Sequence, residues 1–330
     1  MKKFIFTIVF MLGMSATALA DSVIFLEHKG NMTTFKAENI NDALEAAADG
    51  DVLYLSEGTY PGFTITKQIS IKGVGQQTIV DGNIEINNSD KVKLTGIFIG
   101  YLDMNNLIVA SPVSGLKVTQ CHINNTSFLA ITEQSQIDRC YFKSSGSYEG
   151  LRVGETYSET ITIDGISNTY KYPYIKGLTV SNSVINRYYQ KTAIYSNVSL
   201  INCFIYELNY DGYPYGITFI NSIINRCAAG YVMSKCYFTK FKMVNTAFGF
   251  DNIVTEGCEI TDCYDDVIED YSVETLSAKG YLGNDGKVIG PYGGNTPYTL
   301  VPAVPRVTKS KIMVDPKKQE LNAILTVSPK

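Results

Sequence analysis

Residues 199–208 read SLINCFIYEL, and near copies recur along the chain as KVTQCHIN, SQIDRCYF, TVSNSVIN, TFINSIIN and VMSKCYFT. Aligned on Cys203, the repeat position holds Cys121, Cys140, Ser183, Cys203, Ser222 and Cys236, with Cys258 a looser member. Three positions earlier stand Val118, Ile137, Val180, Leu200, Phe219 and Met233, and two positions later Ile123, Phe142, Ile185, Ile205, Ile224 and Phe238. Each unit is therefore an alternating segment, a one- or two-residue bend, and a second alternating segment, which is strand periodicity on both sides of a corner.

The bend carries Asn182, Asn202, Asn221 and Asn245. Asparagine tolerates the left-handed backbone region better than most residues, and stacked amides are expected to hydrogen-bond in a ladder. Spacings of 19 (Cys121 to Cys140), 20 (Ser183 to Cys203) and 19 (Cys203 to Ser222) give a period near 20. That period, with several short strands per unit, predicts a right-handed parallel β-helix, an all-β solenoid. The 43-residue gap from Cys140 to Ser183 fits two units with an insertion, and the register between Ser222 and Cys258 stays open. Seven cysteines, an odd number spread over a long chain, do not suit a small disulfide scaffold. Cysteine alternating with serine points to a small inward side chain.

An exposed solenoid end invites edge pairing and needs a cap. In AENINDALEAAADGD, Ile40, Leu44 and Ala47 share a helical face and Gly50 ends the helix. The run NINDALEAAADGDVLYLSEGTY followed by ITKQISIKGVGQQTIVDG resembles the opening of pectin-lyase-like right-handed β-helix proteins. The later LSAKGYLGNDGKVIGPYGG, followed by VPAVPRV, is similar to the close of secreted β-helix proteins of the Bacteroidetes. The two matches bracket residues 37–305 and imply the fold. They do not imply a chemistry.

The first twenty residues have the zones of a secretory signal peptide: Lys2 and Lys3, an apolar core over 4–14, and Ala18-Leu19-Ala20 as the cleavage site. The expected organisation is a signal peptide over 1–20, a capped β-helix over 21–290, and a Pro-rich tail over 291–330 whose segments 312–314 and 321–327 pair as strands. The product is expected in the periplasm, at the cell surface or outside the cell, with no transmembrane segment, as a monomer. Loss of Lys2 and Lys3 takes the formal charge from −4 to −6, which gives no electrostatic reason to bind nucleic acid. A local basic patch can still override that net figure for an anionic ligand.

Enzymes of the resembled superfamily act on polysaccharides, and hydrolysis generally needs two carboxylates flanking the bond. CYDDVIED supplies Asp265 and Asp266 with Glu269 and Asp270, read either as a calcium or acid–base cluster or as a solvated stretch. A lyase needs a base beside a cation-neutralised carboxylate. Arg139 and Lys143, near Arg152, Asp138 and Glu149, are the candidates, and as ordinary surface charges they need no function. Only the lyase alternative calls for Ca²⁺, and otherwise no cofactor or metal is expected. His28 and His122 are the only histidines, His122 being isolated in a strand.

Twelve of the 23 tyrosines fall within residues 148–215. Tyr170, Tyr172 and Tyr174, then Tyr188 and Tyr189, then Tyr210, Tyr213 and Tyr215 form clusters, and the two Tyr-Pro-Tyr pieces among them are expected on loops between repeat units. Tyrosine rings suit a sugar or protein surface, which makes this the expected ligand-binding face, although the chain has no Trp. The resulting expectation is an exported, non-catalytic glycan-binding or surface-associated β-helix with a polysaccharide partner. A polysaccharide lyase or hydrolase, or a structural spacer, is the alternative.

Overall fold

The computed structural model describes residues 22–100, 106–109, 113–128, 134–143, 150–153, 156–163, 166–173, 175–191, 196–211, 217–229, 241–244, 246–248, 252–254, 271–300, 306–315 and 320–328. Their strands wind into a parallel β-helix with three faces. On the first face, parallel strands stack from Val52–Leu55 through Ser70–Ile86, Lys93–Ile99, Lys117–Thr119, Ser135–Asp138, Ile175–Ser181, Ser196–Ile201 and Ile217–Ile220 to Phe241–Val244. The second face is registered by Phe98, His122, Tyr141, Val184, Phe204, Ile223 and Ala247. The third is registered by Ile65, Ile86, Val109, Phe128, Val153, Gln190, Tyr210 and Ala229.

The inward rows are the aligned apolar positions of the repeat. Val118, Ile137, Val180, Leu200 and Phe219 stack on the first face, Ile123, Phe142, Ile185, Ile205 and Ile224 on the second, all at 0 % exposure. Complete burial of such side chains contributes about 1.5–3 kcal/mol each, so these rows are the main hydrophobic term.

Between the first two faces each coil makes a left-handed corner at Gln120 (φ 53°), Arg139 (53°), Asn182 (45°), Asn202 (51°) or Asn221 (48°). The residue after the corner is the cysteine or serine of the repeat. Ser183 Oγ donates to the Ser181 carbonyl (2.7 Å), and Ser222 Oγ lies 2.9 Å from the Ile220 carbonyl and 3.1 Å from that of Leu200 one coil earlier. Cys140 Sγ and Cys203 Sγ reach the equivalent carbonyls at 3.4–3.6 Å. The position thus requires a donor as well as small size. Cys121, Cys140 and Cys203 are free thiols, and burial pushes Cys203 up to about 12 and Cys140 well above the ordinary thiol value. Thiols held protonated in this way are poor nucleophiles.

Two features of the register differ from expectation. Ser135–Asp138 pairs directly with Ile175–Ser181, so the Cys140 and Ser183 coils are neighbours and the long gap is one coil, not two. The insertion contains an antiparallel hairpin, Thr156–Ile163 with Ile166–Pro173. Further on, Phe219 is in register with Met243, so the repeat resumes at MVNTAF, while Met233 and Cys236 lie outside the described residues.

At the N-terminal end, Val23–His28 and Asn31–Lys36 form an antiparallel hairpin on Val52–Leu55, and helix α1 (Ile40–Ala46) buries Ile40, Ala43 and Leu44. Lys67 Nζ donates to the carbonyls of Leu44, Glu45 and Ala47 at 2.7–3.0 Å, which satisfies the helix C-terminus. The strands Arg306–Asp315 and Glu320–Ser328 pair antiparallel, with Ile312 opposite Ala323 and Val314 opposite Leu321.

Residues 271–300, which include helix α2 (Val273–Ala278), lie against the outside of the second face. Leu276, Tyr281, Val288 and Ile289 form a second apolar cluster there with Val184, Phe204 and Ile223. The corner asparagines meet this segment instead of forming a ladder of their own. Asn182 Nδ2 donates to the carbonyls of Pro291 (3.3 Å) and Gly293 (2.8 Å), and the Gly290 N–H donates to the Asn221 carbonyl (2.7 Å).

Candidate functional site

The parallel register sets one polar side chain per coil along the outside of the first face. Ser70, Lys93, Lys117, Gln136 and Thr179 are register partners in succession, and Ser199 and Thr218 continue the row. Strand alternation forces this: their chain neighbours Ile71, Leu94, Val118, Ile137 and Val180 point inward. Coils rise by about 4.8 Å, so the row presents a hydrogen-bonding group at each step along the axis.

Beside the row, the chain turns into the first face through left-handed residues on several coils: Gly50, Lys91, Gly115, Gln134 and Gly177. Row and corners together enclose a groove of about 600 Å³. Its polar lining includes Gln68, Lys91, Lys93, Lys117, Gln134 and Gln136, and among the described residues that line it there is no carboxylate, arginine or histidine. Two acidic residues stand at the rim and hold backbone N–H groups of the lining. Asp49 accepts from the Gln68 N–H and Asp90 from the Ser114 N–H, at 2.8 and 2.7 Å. The exposed ammonium groups of Lys91, Lys93 and Lys117 outnumber these two carboxylates, so the rim is locally positive, against the acidic balance of the whole chain. The groove can bind through hydrogen bonds and positive charge. Among the described residues that line it there are no paired carboxylates and no base oriented against a nucleophile.

Neither Arg139 nor Lys143, the two sequence-predicted catalytic residues that are described, lines this groove. Arg139 is a corner residue whose Nε sits 2.6 Å from Asp138 Oδ2, and Asp138 Oδ1 accepts from Ser181 Oγ at 2.8 Å. Arg139 is thus held in a structural network between coils. Lys143 follows Phe142 at the far end of a second-face strand and is exposed. Asp265 and Asp266 lie outside the described residues.

Tyr188, expected on the ligand-binding face, is instead fully buried, because its register partner is Leu208, an inward position. Tyr170 and Tyr172 belong to the strand Ile166–Pro173 of the inserted hairpin and not to a loop; Tyr172 is opposite Tyr157, and Tyr170 opposite Glu159. Tyr189 is in register with Arg152, and Tyr210 with Gln190. Tyr174, Tyr213 and Tyr215 lie outside the described residues.

His122 is not isolated. Its ring lies on the outer second face between Phe98 (centroids 4.3 Å apart) and Tyr141 (4.8 Å). Burial and then the charge of Lys143 push its pKa down to about 4, against a hydrogen bond to Asn124 that favours the charged form. His28 Nδ1 approaches both oxygens of buried Asp51, which also accepts from the Ala48 N–H, so this pair fastens the cap. Among the described residues no three His, Cys, Asp or Glu side chains are grouped for a metal ion, and no helix is long and apolar enough to cross a membrane.

The groove was missed in the sequence because its row falls at unequal intervals, and only strand pairing aligns it. No family model, no curated protein and no solved structure matches this chain.

Proposed function

We propose that this chain is an exported, non-catalytic glycan-binding protein of pectin-lyase-like type that holds a polysaccharide along its first outer face. The observation that carries the reading is the axial row Ser70, Lys93, Lys117, Gln136 and Thr179 beside a groove of about 600 Å³. A linear glycan offers hydroxyl groups at regular intervals, and a β-helix offers partners at regular intervals. Hydroxyl, amide and ammonium groups at successive steps suit that repetition. The leader-like first twenty residues support export. The lysines supply a basic patch of the kind that overrides a mildly acidic net charge.

A glycan array followed by assays for new reducing ends and for unsaturated products tests the reading. Binding without product, weakened about tenfold by Gln136→Ala together with Thr179→Ala, is the expected result. Product release would establish the lyase or hydrolase alternative, and absence of binding to every polysaccharide would leave the spacer role.

A further inference from the structure

We infer that the groove discriminates among glycans by charge, taking a polysaccharide that bears sulfate esters. This rests on the glycan-binding reading and concerns the N-terminal half of the row, where Lys93 and Lys117 are direct register partners. Lys91, at a left-handed corner of φ 55°, lines the same groove. Three like charges that line one groove repel one another. Asp49 and Asp90, which accept from the Gln68 and Ser114 N–H groups at the rim, keep one negative charge each, so the three lysines leave the described groove with a net positive charge. An anionic ligand relieves that repulsion, and a neutral one does not.

The kind of cation narrows the anion. Planar carboxylates are matched by the two-pronged guanidinium of arginine, which is absent from the lining. Lysine is a compact point charge with three donors. Separate lysines on adjacent coils, with the amides of Gln68 and Gln136 beside them, match a group with three terminal oxygens pointing in different directions. A sulfate ester on a sugar hydroxyl is such a group. The neutral stretch of the row, from Thr179 to Thr218, then contacts uncharged sugar hydroxyls before Lys242 follows in register, so one chain lying along the axis meets both kinds of group.

Affinity electrophoresis and calorimetry with dextran, dextran sulfate and polygalacturonate test this, using the mature chain. The expected order is dextran sulfate at least tenfold tighter than polygalacturonate, with dextran weakest, and an affinity for dextran sulfate that falls steeply with salt. Lys93→Gln with Lys117→Gln should lose at least tenfold for dextran sulfate. Lys93→Arg with Lys117→Arg should retain most of it, and Lys279→Gln, in the C-terminal segment packed on the second face, should have no effect. Melting curves establish that the exposed substitutions leave the fold intact. Equal binding of dextran and dextran sulfate, preference for polygalacturonate, or an unaffected Gln pair would overturn the charge selection while leaving glycan binding in place. If no glycan on the array binds either, both readings fall.

Discussion

Gly294 approaches Asn202 so closely that a β-carbon built on it would stand 2.3 Å from Asn202 Nδ2. The two residues belong to the C-terminal segment and to a coil corner, and Gly294 itself is left-handed (φ 68°). A side chain there is excluded by both space and backbone. Gly294→Ala is expected to destabilise the protein by about 1–3 kcal/mol. It should also expose residues 271–300 to limited proteolysis before the coils unfold. A variant with unchanged melting temperature and cleavage pattern would show that this contact does not hold the segment.

The corner donor makes a graded prediction. Cys203→Ser should change stability by less than about 1 kcal/mol, because Ser183 and Ser222 already occupy equivalent positions. Cys203→Ala loses the approach to the Val180 and Ile201 carbonyls and should cost about 1–2 kcal/mol. Denaturant midpoints of the two variants distinguish a donor role from a purely steric one, which would rank alanine level with serine.

Lys67 gathers three carbonyls at the end of α1. Lys67→Met keeps most of the aliphatic stem and removes the donors. A loss of about 1–2 kcal/mol is expected, with amide exchange rising first over residues 40–55. Uniform acceleration across all coils would argue that the lysine does not act through the cap.

How far the sequence reveals the molecule depends on which residues must repeat. Inward rows such as Val118, Ile137, Val180, Leu200 and Phe219 repeat because every coil fills the same interior, so alignment finds them. Asn182, Asn202 and Asn221 announce their left-handed corners, whereas Gln120 and Arg139 adopt the same geometry without a residue type that signals it. Arg139 consequently looked like a catalytic charge and is a corner residue paired with Asp138. Tyr188 was legible in principle, since it occupies the repeat position of Leu208 and Cys227. The groove was not. Outer side chains face solvent and need not resemble one another, so Ser70, Lys93, Lys117, Gln136 and Thr179 are related only through their pairing.

His122 should make the protein acid-sensitive in a defined window. Its folded pKa of about 4 lies below the ordinary histidine value near 6.5, so between those limits the unfolded chain binds a proton that the folded chain does not. Stability from this group is complete above about pH 6.5 and declines as pH falls towards 4. His122→Phe retains the ring contacts with Phe98 and Tyr141 and removes the titration. The difference in melting temperature between wild type and variant should therefore shift in favour of the variant from pH 7 to pH 4.5. A difference independent of pH would assign the acid response to other groups.

A stack of coils in which each touches only its neighbours can peel from its free end one coil at a time. The segment that includes Pro291 and Gly293 changes that connectivity. It reaches Asn182 across sequence separations of 109 and 111 residues while also bonding the Asn221 coil. Under tension from the C-terminus, the seam along these corners must rip before the coils behind it can unwind. A ribosome must likewise finish residues 271–300 before that seam can close over coils made much earlier. The last part of the domain to be synthesised is thus the part that locks its middle.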